Sequence, residues 1–402
     1  MKKNLTVIFL TVFIYLLGFG IIIPIIPILS RDFGATATQT GLLMSLYSFM
    51  QFVFSPFWGK LSDQYGRRPI LTFCLLGEAF SYILFAYARN LELLFVARAL
   101  AGFFGASIST ASAYISDVTE KNERSKGMAL IGVAFGLGFM IGPALGGGLA
   151  MWGQKISSEK HFDTQFAALW VAGICFATFL FAYRFLQESL KEKKSHQHKS
   201  NRFAVLGNYL KRKTVGPLII VFALISLAMS SMEATLVLFS GQKFGWTIRE
   251  VSFGFAYLGL VIVFTQGFLV RKLIPKFGER NVLRLGVILF ALGMFGIALS
   301  PTIPILGFTM TLLSIGNGLT NPSTLGSISL LTGSDEQGVT LGLTQSMASL
   351  GRIIGPAMGG FIFQNIAIEG PFVNSGLMAS AAVIIVLVIY HSIPQAGKNA
   401  NA

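Results

Sequence analysis

The sequence predicts an all-α membrane protein: twelve transmembrane helices in two pseudo-symmetric six-helix bundles. Three observations predict it. Of its 402 residues, 53% are hydrophobic, only 12% are charged, and the mean hydropathy is +0.68. A soluble domain carries roughly 25% charged residues, so lipid must cover most of this surface. The run Ile141-Gly142-Pro143-Ala144-Leu145-Gly146-Gly147 returns as Ile354-Gly355-Pro356-Ala357-Met358-Gly359-Gly360, a step of 213 residues. The stretch around Asp63-Gln64-Tyr65-Gly66-Arg67-Arg68 is echoed around Pro275-Lys276-Phe277-Gly278-Glu279-Arg280, a step of 212. Two unrelated signals with almost one offset mark an internal duplication.

A helix crossing a bilayer needs about 20 mainly apolar residues. That rule places spans over 5–29, 40–60, 70–89, 93–115, 127–151 and 165–187, and again over 215–240, 250–270, 282–299, 303–330, 339–366 and 372–392. The run from Leu5 to Leu29 is too long for the apolar core of a cleaved signal and reads as the first helix. The domains expected are 1–187 and 214–402, each a six-helix bundle, joined by a basic linker over 188–213 that reads as solvated and partly disordered.

The net charge of +14 sits in short clusters between apolar spans, with no basic face interleaved with aromatics. That excludes a nucleic-acid partner and fixes orientation instead. Lys2, Lys3, Lys60, Arg67, Arg68, Arg271, Lys272, Lys276, Arg280 and the linker fall on one side, so both termini and the linker are expected in the cytoplasm. Cys74 and Cys175 lie inside apolar spans and provide neither a disulfide framework nor a zinc site. No metal-ligand spacing, nucleotide-binding fingerprint or catalytic constellation occurs, so neither an enzyme nor a bound cofactor is expected.

The turn between the second and third spans, from Gly59 to Pro69, holds Asp63 among Lys60, Arg67 and Arg68. Gly66 permits a tight turn, and Asp63 can accept from a helix N-terminus or an arginine, forming a conformational latch. Asp117, at the end of the fourth span, is assigned to that latch with Asp63 and Arg67. Gly138, Gly142 and Gly146 recur every four residues around Pro143, and Gly351, Gly355 and Gly359 repeat the stripe around Pro356. Smooth stripes admit a close neighbouring helix. They read as static packing, or as packing plus a seam on which the halves rock.

Glu78, Arg98, Glu233 and Arg352 fall well inside predicted spans. A charge at that depth costs several kcal/mol unless paired or facing water, so each marks function by default. Glu233 reads as a proton carrier or as an arginine's static partner. Glu78 carries a proton or forms a structural pair. Arg98 holds a carboxylate in its charged form or ties to backbone carbonyls, and Arg352 reads as an interdomain tie.

The Gly59–Pro69 segment resembles the loop signature of the major facilitator superfamily. The glycines around Pro143 look like its antiporter signature, and Leu17–Pro27 and Arg98–Gly102 resemble signatures of its twelve-helix drug:proton antiporter branch. Leu46–Gln51 running into Gly59–Pro69 is similar to tetracycline exporters. The resemblance implies a secondary transporter, with a substrate site between paired repeats. It implies proton-coupled export of small amphipathic or cationic organic compounds by a monomer in a bacterial inner membrane, powered by the proton gradient. A proton-coupled importer or uniporter of a sugar, peptide or organic acid is the alternative. Tyr15 and Ser81 stand where tetracycline exporters have aspartates, and Ile262 where they have a histidine, which sets this chain apart from magnesium-chelated tetracycline. Tyr15, Gln51, Gln266, Asn317, Asn321 and Gln345 remain as cavity candidates, each equally readable as interhelical glue.

Overall fold

The computed structural model describes residues 2–119, 124–159, 161–190, 207–333 and 336–393. Each of the twelve predicted spans is helical, and no strand occurs among the described residues. Of the expected linker, residues 191–206 lie outside the described residues. Two compact units form, one of residues 1–197 with 240–256 and the other of residues 198–239 with 257–402.

In the first unit the helices are α1 (Lys2–Ile22), α2 (Ile25–Asp32), α3 (Ala37–Tyr65), α4 (Arg67–Ala86), α5 (Leu91–Gly105), α6 (Ile108–Val118), α7 (Arg124–Ile156) and α8 (Phe162–Phe185). The span expected over 5–29 is thus broken in two at Pro24. A proline there lacks the amide that would continue the ladder. The span over 93–115 breaks likewise at Ala106–Ser107. Ile21, Ile22, Ile25, Leu43, Phe85 and Val171 fill one core of this unit, and Ile8, Leu16, Leu75 and Ile115 another.

The second set is α9 (Val215–Phe244), α10 (Ile248–Phe264), a five-residue π-helix (Thr265–Leu269), α11 (Val270–Leu299), α12 (Ile303–Leu331), α13 (Gln337–Asn365) and α14 (Gly370–Val388). The π segment replaces the plain helix expected up to residue 270. Gly278 bends α11 with φ 77° and ψ 157°, close to the φ 106° and ψ 155° of Gly66, 212 residues earlier. Both lie at positive φ, where a side chain is strained.

A third twin stands beside these. Gly34 and Gly245, 211 residues apart, have φ 78° and 67°. Each precedes a threonine whose backbone amide donates to the side chain three residues on: Thr36 to Gln39 at 2.9 Å, and Thr247 to Glu250 at 2.9 Å. These are reciprocal helix-start caps repeated once per half.

At the end of the expected linker, residues 207–210 form a helical turn, with Asn208, Lys211 and Lys213 exposed. The Arg212 guanidinium donates to both oxygens of Glu336, at 2.7 and 3.0 Å, and lies 4.2 Å over the Tyr209 ring. The Arg212 hydrogen bonds hold the Glu336 carboxyl below its ordinary range. A carboxyl lowered on folding contributes stability above its unfolded value and loses it as pH falls through the folded one. Amide exchange over 207–213, corrected for its intrinsic pH dependence, should therefore rise below about pH 4. Both partners are about 40% exposed, so Glu336→Gln should raise exchange at neutral pH only severalfold, and unchanged exchange in that variant would contradict the assignment.

Candidate functional site

Three groups of predicted residues are brought together, two in the first unit and one in the second. The first builds on Arg67, the opening residue of α4, which is 4% exposed. Its guanidinium lies 2.6 Å from Asp63 of α3 and 3.2 Å from Asp117 of α6, and donates to the Ser62 hydroxyl at 2.6 Å. That hydroxyl in turn donates to the Gly59 carbonyl at 2.8 Å. One arginine thus ties three helices. Arg68 points elsewhere, donating to the Tyr183 carbonyl at 2.5 Å with its guanidinium 5.3 Å over the Tyr183 ring. Asp63 is about half exposed, so the pair adds little to stability through solvent screening. Asp63→Asn should therefore abolish transport while membrane insertion and melting temperature stay near wild type. Wild-type transport by Asp63→Asn, assayed in purified protein, would remove the latch.

The second group lies within the helices. Tyr15 of α1 and Tyr47 of α3 share a hydrogen bond between hydroxyls, and the Tyr15 hydroxyl donates to the Gly105 carbonyl at 3.1 Å. The Gln51 amide donates to the same carbonyl at 3.0 Å and to Tyr15 at 3.3 Å. Arg98 lies 4.6 Å over the Tyr47 ring and 5.9 Å over that of Phe19. Glu78 is 1% exposed and interacts electrostatically with Arg98. A Cβ on Gly105 would stand 2.7 Å from both tyrosine hydroxyls and 3.3 Å from Glu78 Oε1, so a glycine is what lets these groups converge. Glu78 Oε1, the Tyr82 hydroxyl and Arg98 Nε and Nη1 are buried with no hydrogen-bond partner among the described residues. Buried unpaired polar atoms cost about 1–3 kcal/mol each, so these groups lower stability where they stand.

The third group lies along the contact of α9 with α13. Ser226 and Ser230 donate to the Ala348 and Gly351 carbonyls, each at 3.0 Å. A Cβ on Gly355 would stand 2.6 Å from the Leu227 carbonyl oxygen, and one on Gly359 2.5 Å from the Ser231 hydroxyl. Glu233 continues this face, half-buried, and Arg352 of α13 is its countercharge. Arg352 also donates to Ser349 at 2.9 Å. Both residues belong to one unit.

The other glycine stripe does the same in the first unit. A Cβ on Gly142 would stand 2.6 Å from the Gly20 backbone, one on Gly138 2.8 Å from that of Leu16, and one on Gly146 would strike Ile21. Each glycine helix thus packs on the first helix of its own half, with Pro143 and Pro356 inside the stripes.

The cavity candidates divide. Tyr15 and Gln51 join the Glu78–Arg98 group. Asn317 is 7% exposed and receives a bond from Asn321 at 3.3 Å. The π segment that carries Gln266 is next to them, with Thr265 against Gly318, where a Cβ would stand 2.8 Å from its side chain. Gln345 is exposed. Sequence reasoning missed this π segment, a feature frequent at functional sites.

Among the described residues, no group of three or more His, Cys, Asp or Glu is placed to hold a metal. Eight helical stretches among them are long and apolar enough to cross a membrane. Those stretches, the charges buried in them and the twinned turns define a polytopic helical membrane protein. The chain belongs to the Major Facilitator Superfamily, whose family model matches residues 8–303 and 267–402, and it is a transporter of that superfamily. It is 30% identical to the tetracycline resistance protein, class B, of Escherichia coli, over 87% of this chain and 86% of that protein. It is also 30% identical to multidrug resistance protein 2 of Bacillus subtilis (strain 168), over 96% of this chain and 95% of that one. The human organic anion transporter MFSD10 (TETRAN) has a similar fold, with a TM-score of 0.71 at 24% identity, covering 96% of this chain and 99% of that one.

Proposed function

We propose that this transporter exports small amphipathic or cationic organic compounds in exchange for protons, by alternating access. The observation that carries the reading is a carboxylate, Glu233, and an arginine, Arg352, set on the two helices of one tight contact, where Ser226 and Ser230 of α9 donate to the Ala348 and Gly351 carbonyls of α13. A carboxylate among apolar helices is costly when charged, and a proton, an arginine or a cationic substrate each relieves that cost. These three compete for one group. While Glu233 is charged, it attracts Arg352 or a cationic substrate. Protonation removes the attraction, releases the substrate and frees Arg352 to repack along the seam. Proton entry and substrate exit then share one carboxylate and cannot both occupy it.

Glu78 with Arg98 brings an acid and a base together in the first half, at positions not equivalent to Glu233 and Arg352, and is the next candidate for the proton. Tyr15, Gln51, Gln266, Asn317 and Asn321 give the substrate a few polar contacts in an otherwise apolar lining. The repeats 1–187 and 214–402, joined through 188–213, are the moving parts. The protein works as a monomer in a bacterial inner membrane with both termini cytoplasmic, and the proton gradient serves in place of a cofactor. Relatives named for tetracycline and multidrug resistance support the direction of transport.

Intact cells expressing the protein should accumulate less of a fluorescent lipophilic cation than control cells, and an uncoupler should abolish the difference. Higher accumulation in the expressing cells would assign the chain to import instead.

A further inference from the structure

The Glu188 side chain stands at the exit of α8 and is bonded as no solvated linker residue would be. Its Oε1 accepts from the backbone amides of Arg67, Ser189 and Leu190, at 2.9, 3.0 and 3.0 Å, and its Oε2 accepts from that of Arg68 at 3.1 Å. Arg67 and Arg68 open α4, whose amides have no partner within the helix and whose dipole favours a negative charge. Gly66, the residue before them, gives no side-chain cap. A Cβ on Gly66 would stand 2.5 Å from Glu188 Oε2, so the absent side chain is what admits the carboxylate. Ser189 extends the contact by donating to Asp117 at 3.2 Å, on the same oxygen that Arg67 Nε reaches.

We propose that Glu188 is a positioning residue of the transport cycle: it caps α4 from the exit of the neighbouring helix α8 and so makes the start of the central basic segment a fourth arm of the Asp63–Arg67–Asp117 latch. The physical reason is that Arg67 holds Asp63 and Asp117 only while its own backbone is fixed. Glu188 fixes that backbone through the Arg67 amide, and Ser189 shares the Asp117 carboxylate. A change in the segment that follows is thereby felt at the α3–α4 turn. The inference rests on the chain being a transporter and not on proton coupling or substrate class, because downhill exchange reads it.

In reconstituted full-length protein, Glu188→Ala should lower the maximal rate of downhill exchange of a fluorescent lipophilic cation about fivefold to tenfold, as loss of a helix cap of ordinary strength would. KM should be unchanged, because Glu188 touches no cavity residue. Glu188→Gln, which keeps an acceptor oxygen and the side-chain shape, should fall between the two and serves where Ala fails to fold. In both, the amides of Arg67 and Arg68 should exchange hydrogen faster while the rest of α4 does not. Wild-type rates, unchanged exchange at Arg67 and Arg68, or a loss matching only the loss of folded protein would each overturn the proposal.

Discussion

Glu233→Gln should still exchange substrate downhill and should lose proton-driven accumulation entirely. The amide copies the protonated carboxyl in size and neutrality, so it fixes the pair in the state that has released Arg352. A pH gradient of one unit is worth about 1.4 kcal/mol per coupled proton, or about tenfold accumulation. In vesicles clamped at zero potential the wild type should approach that ratio for each proton it couples, and Glu233→Gln should stay at unity. The downhill rate matters as much as the lost gradient. If both vanish together, Glu233 is a structural partner of Arg352 rather than a carrier. If Glu233→Gln still accumulates substrate uphill, the coupling passes to Glu78, and Glu78→Gln becomes the variant that uncouples.

Gly142→Val should fail to yield folded protein. A Cβ at 142 already stands 2.6 Å from the Gly20 Cα and carbonyl carbon, and backbone atoms cannot turn away as a flexible side chain can. Overpacking a filled core costs about 1–3 kcal/mol, and here two whole helices must separate to relieve it. Close approach of small residues supplies much of what holds helices together in lipid, so the separated pair loses that attraction as well. Gly148, six residues further on, has nothing within 4 Å of its Cβ position, and Gly148→Ala should melt within a degree or two of wild type. Gly355→Val should behave as Gly142→Val does, because the second stripe meets α9 as the first meets α1. Monodispersity and melting of the purified variants decide this, and a well-folded Gly142→Val would refute the packing.

Much of this organisation is legible in the sequence because lipid makes it so. Every span must be long and apolar, which leaves its length in plain view, and all twelve expected spans are helical. The repeats around Gly66 and Gly142 are legible because each demands a residue without a side chain, one for positive φ and one for close approach. The twin turns at Gly34 and Gly245 went unseen because only a phenylalanine, the glycine and a threonine two residues on repeat, while the capping side chain changes from Gln39 to Glu250. The breaks at Pro24 and Ala106 and the π segment at Thr265 were likewise hidden, since hydropathy does not register a change of hydrogen-bond period.

The site was legible residue by residue and not as an arrangement. Glu78, Arg98, Glu233 and Arg352 stood out as charges in apolar spans, yet nothing in their spacing says that Arg98 lies over Tyr47 or that Arg352 answers Glu233. Those contacts are set by which helix faces which. Glu188 was passed over because a charged segment reads as solvated. The signal that could have found it is a single acid at the exit of a helix, ahead of a run of lysines.

The most direct test is uphill transport by the purified wild-type protein in liposomes with an imposed pH gradient and no membrane potential. A fluorescent lipophilic cation should accumulate against its own gradient, and adding the cation on one side should drive protons the opposite way. A cation distribution that reaches the same equilibrium with and without the pH gradient, with no proton movement on its addition, would contradict proton-coupled exchange.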